Sequence, residues 1–574
     1  MKRTLRLFAC LLALLLTLGS LPALWSCQSH TAQKPSWGNY PSDESSAPGS
    51  DLSSETDESG TPVDPECTFR QDGYEYHLRQ KDVDAVDARL QSLQEIFLSE
   101  EVLSEEVLLA NLEETERMFY EVSEQSQLAY IFYCLDQTDS KRSAAYLYAS
   151  AVTADLYDHY MEVCRTIDQS APQDKKQFFF SDWTDAELQQ MRNFSAELTE
   201  LSKQNQNLLV QSRELGDSSK DRATFEQYYA QMVKNNTRIA QLSGYKNYRS
   251  YAYEVIYERT YGDAEIDSLR RFIEELIPHY MKMVEDLSIQ CQSLSPEQIQ
   301  ILLQLLTSDY DEQADDFLNG YLDSYGADIS ARMRGMLQNA FFTDSENAYP
   351  AAFTGFLQSR EKPVCYFGPG YQGLYTVIHE MGHYQAEISA GSDDIPLDLA
   401  ETQSQGNEWM LTAYLSDILD PDLAQTFVLA QTIDAFSSII LGAAVDYFEE
   451  LYYTAYENGW SISYSDAVEQ TYRMFGGKSY FTTYLADLDA YTRLVVMESP
   501  VYYISYSVSM MYAVQLFCVA QEVSYATAQD AYRILSERDA ELGLPALAES
   551  AGLLHFVSPE LHRQLIQMCE LLVN

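Results

Sequence analysis

His379-Glu380-Met381-Gly382-His383 is the segment of this chain best suited to chemistry. It lies in a stretch of helical periodicity, where side chains four apart leave the same face one turn apart, so the two imidazoles can share one metal ion. Glu380 then stands beside the open coordination position, where a carboxylate can act as a general base. The alternative is a histidine pair on a polar helical face, in a chain that has only eight histidines among its 574 residues.

Hydrolysis at zinc needs a third protein ligand that leaves one position open for water. A short polar loop with Gly391, Asp393, Asp394 and Pro396 leads into a second helical stretch carrying Glu401. Asp398 and Glu408 compete for the same role. Glu408 lies two turns from Glu401 on the same face, where it could instead hydrogen-bond a metal-bound imidazole. A third element is Ser499-Pro500-Val501-Tyr502-Tyr503-Ile504-Ser505-Tyr506. There Ser499 can cap and Pro500 can open a helix that places Tyr503 and Tyr506 on one face. With 43 tyrosines in the chain, packing is the ordinary role of any one of them.

The elements that must hold these residues read as mainly helical. Apolar residues recur at three- and four-residue spacing over 83–97, 105–120, 143–167, 184–211 and 263–290, and again over 374–390, 397–416, 423–458 and 500–522. Gly391 is placed to stop the first of the later helices. Between them, 352–357 and 363–367 are short β-prone runs separated by a charged turn, which predicts a small hairpin just before the histidine helix.

Composition narrows the partners. The chain holds 87 acidic against 37 basic residues, a formal charge of -50 that repels phosphate backbones and anionic lipid headgroups, so nucleic acid is excluded as a partner. Residues 1–27 read as an export signal, with Lys2, Arg3 and Arg6 ahead of an apolar run, and Leu24-Trp25-Ser26-Cys27 resembles a bacterial lipoprotein cleavage box. An ordinary cleaved signal or an uncleaved anchor helix are the alternatives. Residues 28–66 form an acidic Ser- and Pro-rich tether, too polar to bury a core. The expected location is the outer face of a bacterial cytoplasmic membrane, or the medium, with membrane contact only through the N-terminal anchor. The rest divides into a helical lobe, 67–340, and a site-bearing lobe, 341–574. Seven cysteines remain beyond Cys10 and Cys27, without a Cys-x-x-Cys pair, which argues against a disulfide framework; Cys134 and Cys518 read as core residues.

The site segments together resemble the thimet oligopeptidase and oligoendopeptidase F family of zinc metallopeptidases, the gluzincins. Their zinc helix carries His-Glu-x-Gly-His and their second helix reads Glu-x-x-Ser-x-x-Asn-Glu, here Glu401-Thr402-Gln403-Ser404-Gln405-Gly406-Asn407-Glu408. The resemblance implies one zinc per chain held by His379, His383 and Glu401, with Glu380 as general base and Glu408 in a supporting role. It further implies that Tyr506, and next Tyr503, reach the scissile carbonyl, and that the hairpin is a substrate strand whose free edge pairs with an extended peptide. The implied fold is a two-lobed helical metallopeptidase with a deep central cleft, and the implied substrates are oligopeptides. The resemblance covers roughly residues 70–574, and is strong over 350–510. The loop between the two helices is shorter than in typical members, and the family's upstream histidine has no counterpart. Asn407-Glu408 is also similar to the ligand segment of thermolysin-like enzymes, but Leu411 and Thr412 stand where their Ser-Asp pair belongs. A non-catalytic peptide-binding surface lipoprotein and a zinc carboxypeptidase of related fold are the competing readings.

Overall fold

Between Cys67 and Tyr349 the sequence contains only three prolines, and helices run long there. The computed structural model describes residues 63–573 apart from 182, 184, 194, 214, 217, 308–311, 392–394 and 538–541. The export signal, nearly all of the tether, and Asp393 and Asp394 therefore lie outside the described residues.

A small hairpin, β1 (Phe69–Gln71) and β2 (Tyr74–Tyr76), comes first. The helices α1 (Gln80–Leu98), α2 (Glu105–Leu135) and α3 (Ser140–Ser170) follow. Ser104 caps α2 and Asp139 caps α3 through side-chain hydrogen bonds to backbone N–H groups, as short polar residues do at helix starts. Next come α4 (Gln173–Phe179), α5 (Asp185–Asn193), α6 (Ala196–Arg213), α7 (Ser219–Leu242) and α8 (Tyr248–Tyr251), the last continuing into a π-helical turn, Ala252–Ile256. The single helix expected over 184–211 is thus two, α5 and α6. After it run α9 (Asp263–Ser293), α10 (Pro296–Thr307), α11 (Glu312–Asp323) and α12 (Ala327–Met336).

The expected hairpin is present as β4 (Ala352–Leu357) and β5 (Lys362–Phe367), antiparallel, with Leu357 opposite Lys362 and Thr354 opposite Cys365. A third strand, β3 (Ala340–Phe342), pairs in parallel with β5, so the sheet order is β3-β5-β4 and β4 is an edge strand. One side of this sheet packs on α13 (Leu374–Ala390), and β4 also meets α2, where Tyr130 lies 5.2 Å from Phe353. Gly391 ends α13 in the left-handed conformation, φ 69°, as its position in the sequence suggested.

The remaining helices are α14 (Leu397–Ile418), α15 (Pro421–Glu457), α16 (Tyr464–Met474), α17 (Lys478–Tyr484), α18 (Leu488–Val495), α19 (Ile504–Glu522), α20 (Tyr525–Ser536), α21 (Leu544–Ser550) and α22 (Pro559–Leu572). Pro500 does not open the helix of the tyrosine segment. Val501 instead takes φ 64°, and α19 starts only at Ile504. A β-branched residue in the left-handed region costs about 1–3 kcal/mol, so the surrounding contacts must enforce it.

Helices α13, α14, α19 and α15 form the centre of the molecule, each packed on the next. Both α15 and α19 are long and apolar enough to cross a membrane, yet 83% of each apolar stretch is buried inside this fold. The core runs unbroken past residue 340, since α9 and α7 pack against α15 and α2 against β4. Cys134 and Cys518 are buried, and no disulfide forms among the described residues.

A buried ion cluster joins the two parts of the chain. The fully buried carboxylate of Asp446 on α15 accepts from Arg249 Nη1 at 2.6 Å, Arg270 Nη2 at 2.7 Å and Tyr253 OH at 3.1 Å. The arginines hold its pKa below the ordinary carboxylate range against the opposing effect of burial. Asp446→Asn removes the buried anion that the two guanidinium groups share, leaving Arg249 only the exposed Asp263 and Arg270 only Glu450 and Asp267, and is expected to destabilise the fold by about 3 kcal/mol, measured as the shift in urea unfolding.

Candidate active site

Helix α13 presents His379, Glu380 and His383, all buried. The imidazoles lie one above the other, ring centres 5.0 Å apart and tilted by 75°. Helix α14 crosses next to them and brings Glu401, also fully buried, to the same point: one ligand atom from each of His379, His383 and Glu401 lies within 4.8 Å of the others. This is the one group of its kind among the described residues.

The approach of the two helices depends on Gly382. A Cβ there would stand 2.6 Å from Ser404 Cα and 2.8 Å from the Gln403 carbonyl oxygen, so any larger residue must force α13 and α14 apart. Asn407 adds a polar tie: its Nδ2 donates to the Ile378 carbonyl at 2.6 Å, and its Oδ1 accepts from Tyr321 OH. The Gly in the first segment and the Ser and Asn in the second thus fix the distance between the helices.

His379 and Glu380 each have a supporting contact. His379 Nδ1 shares a hydrogen bond of 2.5 Å with Glu408 Oε1, which orients the ring and turns Nε2 to the opposite side. Glu408 therefore stands behind His379 rather than among the three converging ligands. Asp398, the other competitor, faces away from them and accepts from Tyr261 OH at 2.6 Å. Glu380 Oε2 accepts from Thr354 Oγ1 on β4 at 2.7 Å, so the hairpin positions this carboxylate.

Burial pushes the His379 pKa down to about 3 and the His383 pKa well below its ordinary value, the latter also repelled by His379. Both rings are therefore neutral at pH 7, the form that binds a metal ion. Burial pushes Glu380 well up; the Thr354 hydrogen bond opposes this, while Glu401 and Glu408 add to it. Glu408 is raised by burial to about 8. His383 Nε2 and Glu380 Oε1 are buried and have no hydrogen-bond partner, a costly state that a bound cation and its water would relieve. Two neutral imidazoles and a carboxylate are a donor set that suits zinc, and a dication would balance the carboxylates crowded there.

The tyrosine segment meets this group from α19. Tyr506 is buried there, its hydroxyl 3.2 Å from that of Tyr502, and Tyr502 OH donates to Glu401 Oε1 at 2.9 Å. Tyr503 packs its ring against those of Tyr502 and Tyr506, centres 5.4 and 5.7 Å apart, and against Tyr491 at 6.2 Å. The sequence pairs Tyr503 with Tyr506 at a spacing of three, and Tyr502, missed there, lies four residues before Tyr506 and so falls on the same helical face. In the structure it is the hydroxyls of Tyr502 and Tyr506 that meet. Thr354 was missed as well, although a polar residue alternating with Phe353 and Gly355 in a β-prone run was its signal.

Comparisons with known proteins give the fold. No family model matches the chain, and no curated protein matches it by sequence. PZ peptidase A, solved with an inhibitor, superposes with a TM-score of 0.62 at 16% identity, covering 88% of this chain and 98% of that one. Oligoendopeptidase-F from Enterococcus faecium gives 0.54 at 14% identity over 86% of this chain and 97% of the other. M32 carboxypeptidase from Deinococcus radiodurans R1 gives 0.50 at 11% identity over 86% and 100%. The chain has the helical fold of these peptidases over nearly its whole described length.

Gly382→Ala tests how the site is built. The variant is expected to keep its helix content while its affinity for any divalent ion held there falls by about 10–100-fold, the size of effect seen when the support of metal ligands is disturbed; competition with a chromophoric chelator measures it.

Proposed function

We propose that the chain is a zinc-dependent peptidase that cleaves oligopeptides internally, with one zinc held by His379, His383 and Glu401. The observation that carries this reading is the convergence of two neutral buried imidazoles and a buried carboxylate beside Glu380. The fold shared with PZ peptidase A and oligoendopeptidase-F supports the choice of peptides as substrates.

Bound zinc would supply an acidified water, with a pKa near 7, and would polarise the scissile carbonyl. Glu380 takes the proton of the attacking water and passes it to the leaving amine; its raised proton affinity suits that exchange. Thr354 holds Glu380 in place for both transfers. The hydroxyls of Tyr502 and Tyr506 lie together beside Glu401, where Tyr506, and Tyr502 once its proton leaves Glu401, can donate to the oxyanion as it develops.

The edge strand gives a way to hold the substrate. Cys365 N–H donates to the Asn339 carbonyl on the β3 side, so its partner Thr354 turns its own N–H and C=O away from β5, towards the outer edge of the sheet, which is buried in this structure and must open to admit a peptide. An extended peptide paired there would be read through its backbone, one side chain away from Glu380, in a cleft between two helical lobes. Export and attachment through Cys27 by the 28–66 tether complete the proposal, and place this activity outside the cytoplasmic membrane. The likeness to M32 carboxypeptidase favours a second reading, removal of C-terminal residues. Product masses from an end-blocked peptide separate the two.

Glu380→Gln is expected to retain one zinc per chain and to lose about 10²–10⁴-fold in turnover of an internally quenched peptide, whereas Glu401→Ala loses the zinc itself. Equal activity in the parent and both variants would refute the mechanism. The parent should also cut the quenched peptide far faster than an intact folded protein; efficient digestion of the folded protein would overturn the oligopeptide assignment.

A further inference from the structure

Residues 500–505 form a strap that carries Tyr502 to Glu401, and Val501 within it holds the left-handed conformation that its branched side chain disfavours. What enforces that conformation is a set of buried hydrogen bonds to consecutive backbone groups. Tyr257 OH donates to the Pro500 carbonyl at 2.8 Å. Val501 N–H donates to both oxygens of Glu449, each at 2.9 Å. Arg259 Nη1 donates to the Val501 carbonyl at 2.9 Å, and Nη2 to the Tyr502 carbonyl at 3.0 Å and to Ser505 Oγ at 2.7 Å.

Arg259 is unusual in every respect. Its side chain is 0% exposed, and its guanidinium lies between the rings of Tyr253 and Tyr257, 4.5 and 4.4 Å from their centres. Its Nε stands 3.5 Å from Asp398 Oδ1, an ionic contact too long for a hydrogen bond. Asp398 lies one turn before Glu401 on α14, and Tyr261 OH fixes its other oxygen at 2.6 Å. One guanidinium therefore grips the tyrosine strap with three hydrogen bonds and faces the helix that carries the third ligand. A planar fork with five donors can do this; a single ammonium cannot reach all three acceptors.

We infer that Arg259 is a positioning residue for the reaction: it holds the strap in its strained form, aims the Tyr502 hydroxyl at the metal-ligand cluster, and keeps strap and ligand helix in register. The inference rests on the peptidase reading above. Without the guanidinium, Val501 relaxes to an ordinary conformation and Tyr502 leaves its place, while His379, His383 and Glu401, which belong to other elements, stay together.

A double-mutant cycle on the full-length protein tests this, with zinc content and cleavage of an internally quenched peptide as readouts. Arg259→Met is expected to retain one zinc per chain and a KM within threefold of the parent, and to lose about 10²-fold in kcat, the effect of displacing a reacting group by about an ångström. Arg259→Lys should be impaired nearly as much. Tyr502→Phe should lose kcat to a similar degree, and adding Arg259→Met to Tyr502→Phe should change kcat by less than threefold, because the group that Arg259 positions is already gone. Multiplying losses in the double variant, or loss of zinc in Arg259→Met, would overturn the inference. If Arg259→Met does not fold, Tyr257→Phe, which keeps the ring and removes only the hydrogen bond to Pro500, takes its place in the same cycle under the same criteria. A parent that binds no zinc or cleaves no peptide would instead refute the reading on which the inference rests.

Discussion

The site rests on the contact between Gly382 of α13 and Ser404 of α14. The two helices approach here more closely than a residue with a side chain at 382 would allow, and the missing Cβ removes the obstacle. Asn407 then ties the helices by a hydrogen bond to a carbonyl of α13 one residue before His379. Everything else at the centre follows from that spacing. Glu401 reaches the two imidazoles, Glu408 reaches the back of His379, and the three-stranded sheet lies over the outer side of α13 so that Thr354 can hold Glu380.

Burial gives these groups their chemistry. The same low-dielectric surroundings that keep both histidines neutral raise the proton affinity of Glu380 and Glu408, so one physical cause acts on all four groups. It also leaves buried polar atoms unsatisfied, a cost that a folded chain tolerates where a ligand repays it. Around this centre a second set of buried charges does a different task. Asp446 on α15 joins Arg249 of α8 to Arg270 of α9, while Glu449, also on α15, and Arg259 hold the strained strap on which Tyr502 sits.

Much of this was legible in the sequence because it is written in short-range patterns. The two histidines and Glu380 follow from spacing on one helix; Gly391 marks its end; the hairpin shows as two β-prone runs about a charged turn. Glu401 was one of three carboxylates in reach, and it is the three-dimensional crossing of α13 and α14 that brings it, and not Asp398, to the imidazoles. What was not legible depends on backbone conformation and on distant partners. The positive φ of Val501 has no local signal, since neither Gly nor Asn stands there, and without it the tyrosine helix is expected to begin too early. Arg259 lies more than 200 residues from the strap it holds, and an isolated arginine reads as a surface residue. Strand β3 is three residues long and paired only through β5, too short for alternation to reveal it.

Anomalous X-ray scattering at the zinc absorption edge, from crystals of the purified protein, is the most direct test of the central claim. The account predicts one strong peak per chain, about 2.0–2.2 Å from a nitrogen of His379, a nitrogen of His383 and a carboxylate oxygen of Glu401. A peak held by other residues, or no peak with these three side chains hydrogen-bonded among themselves, would contradict it.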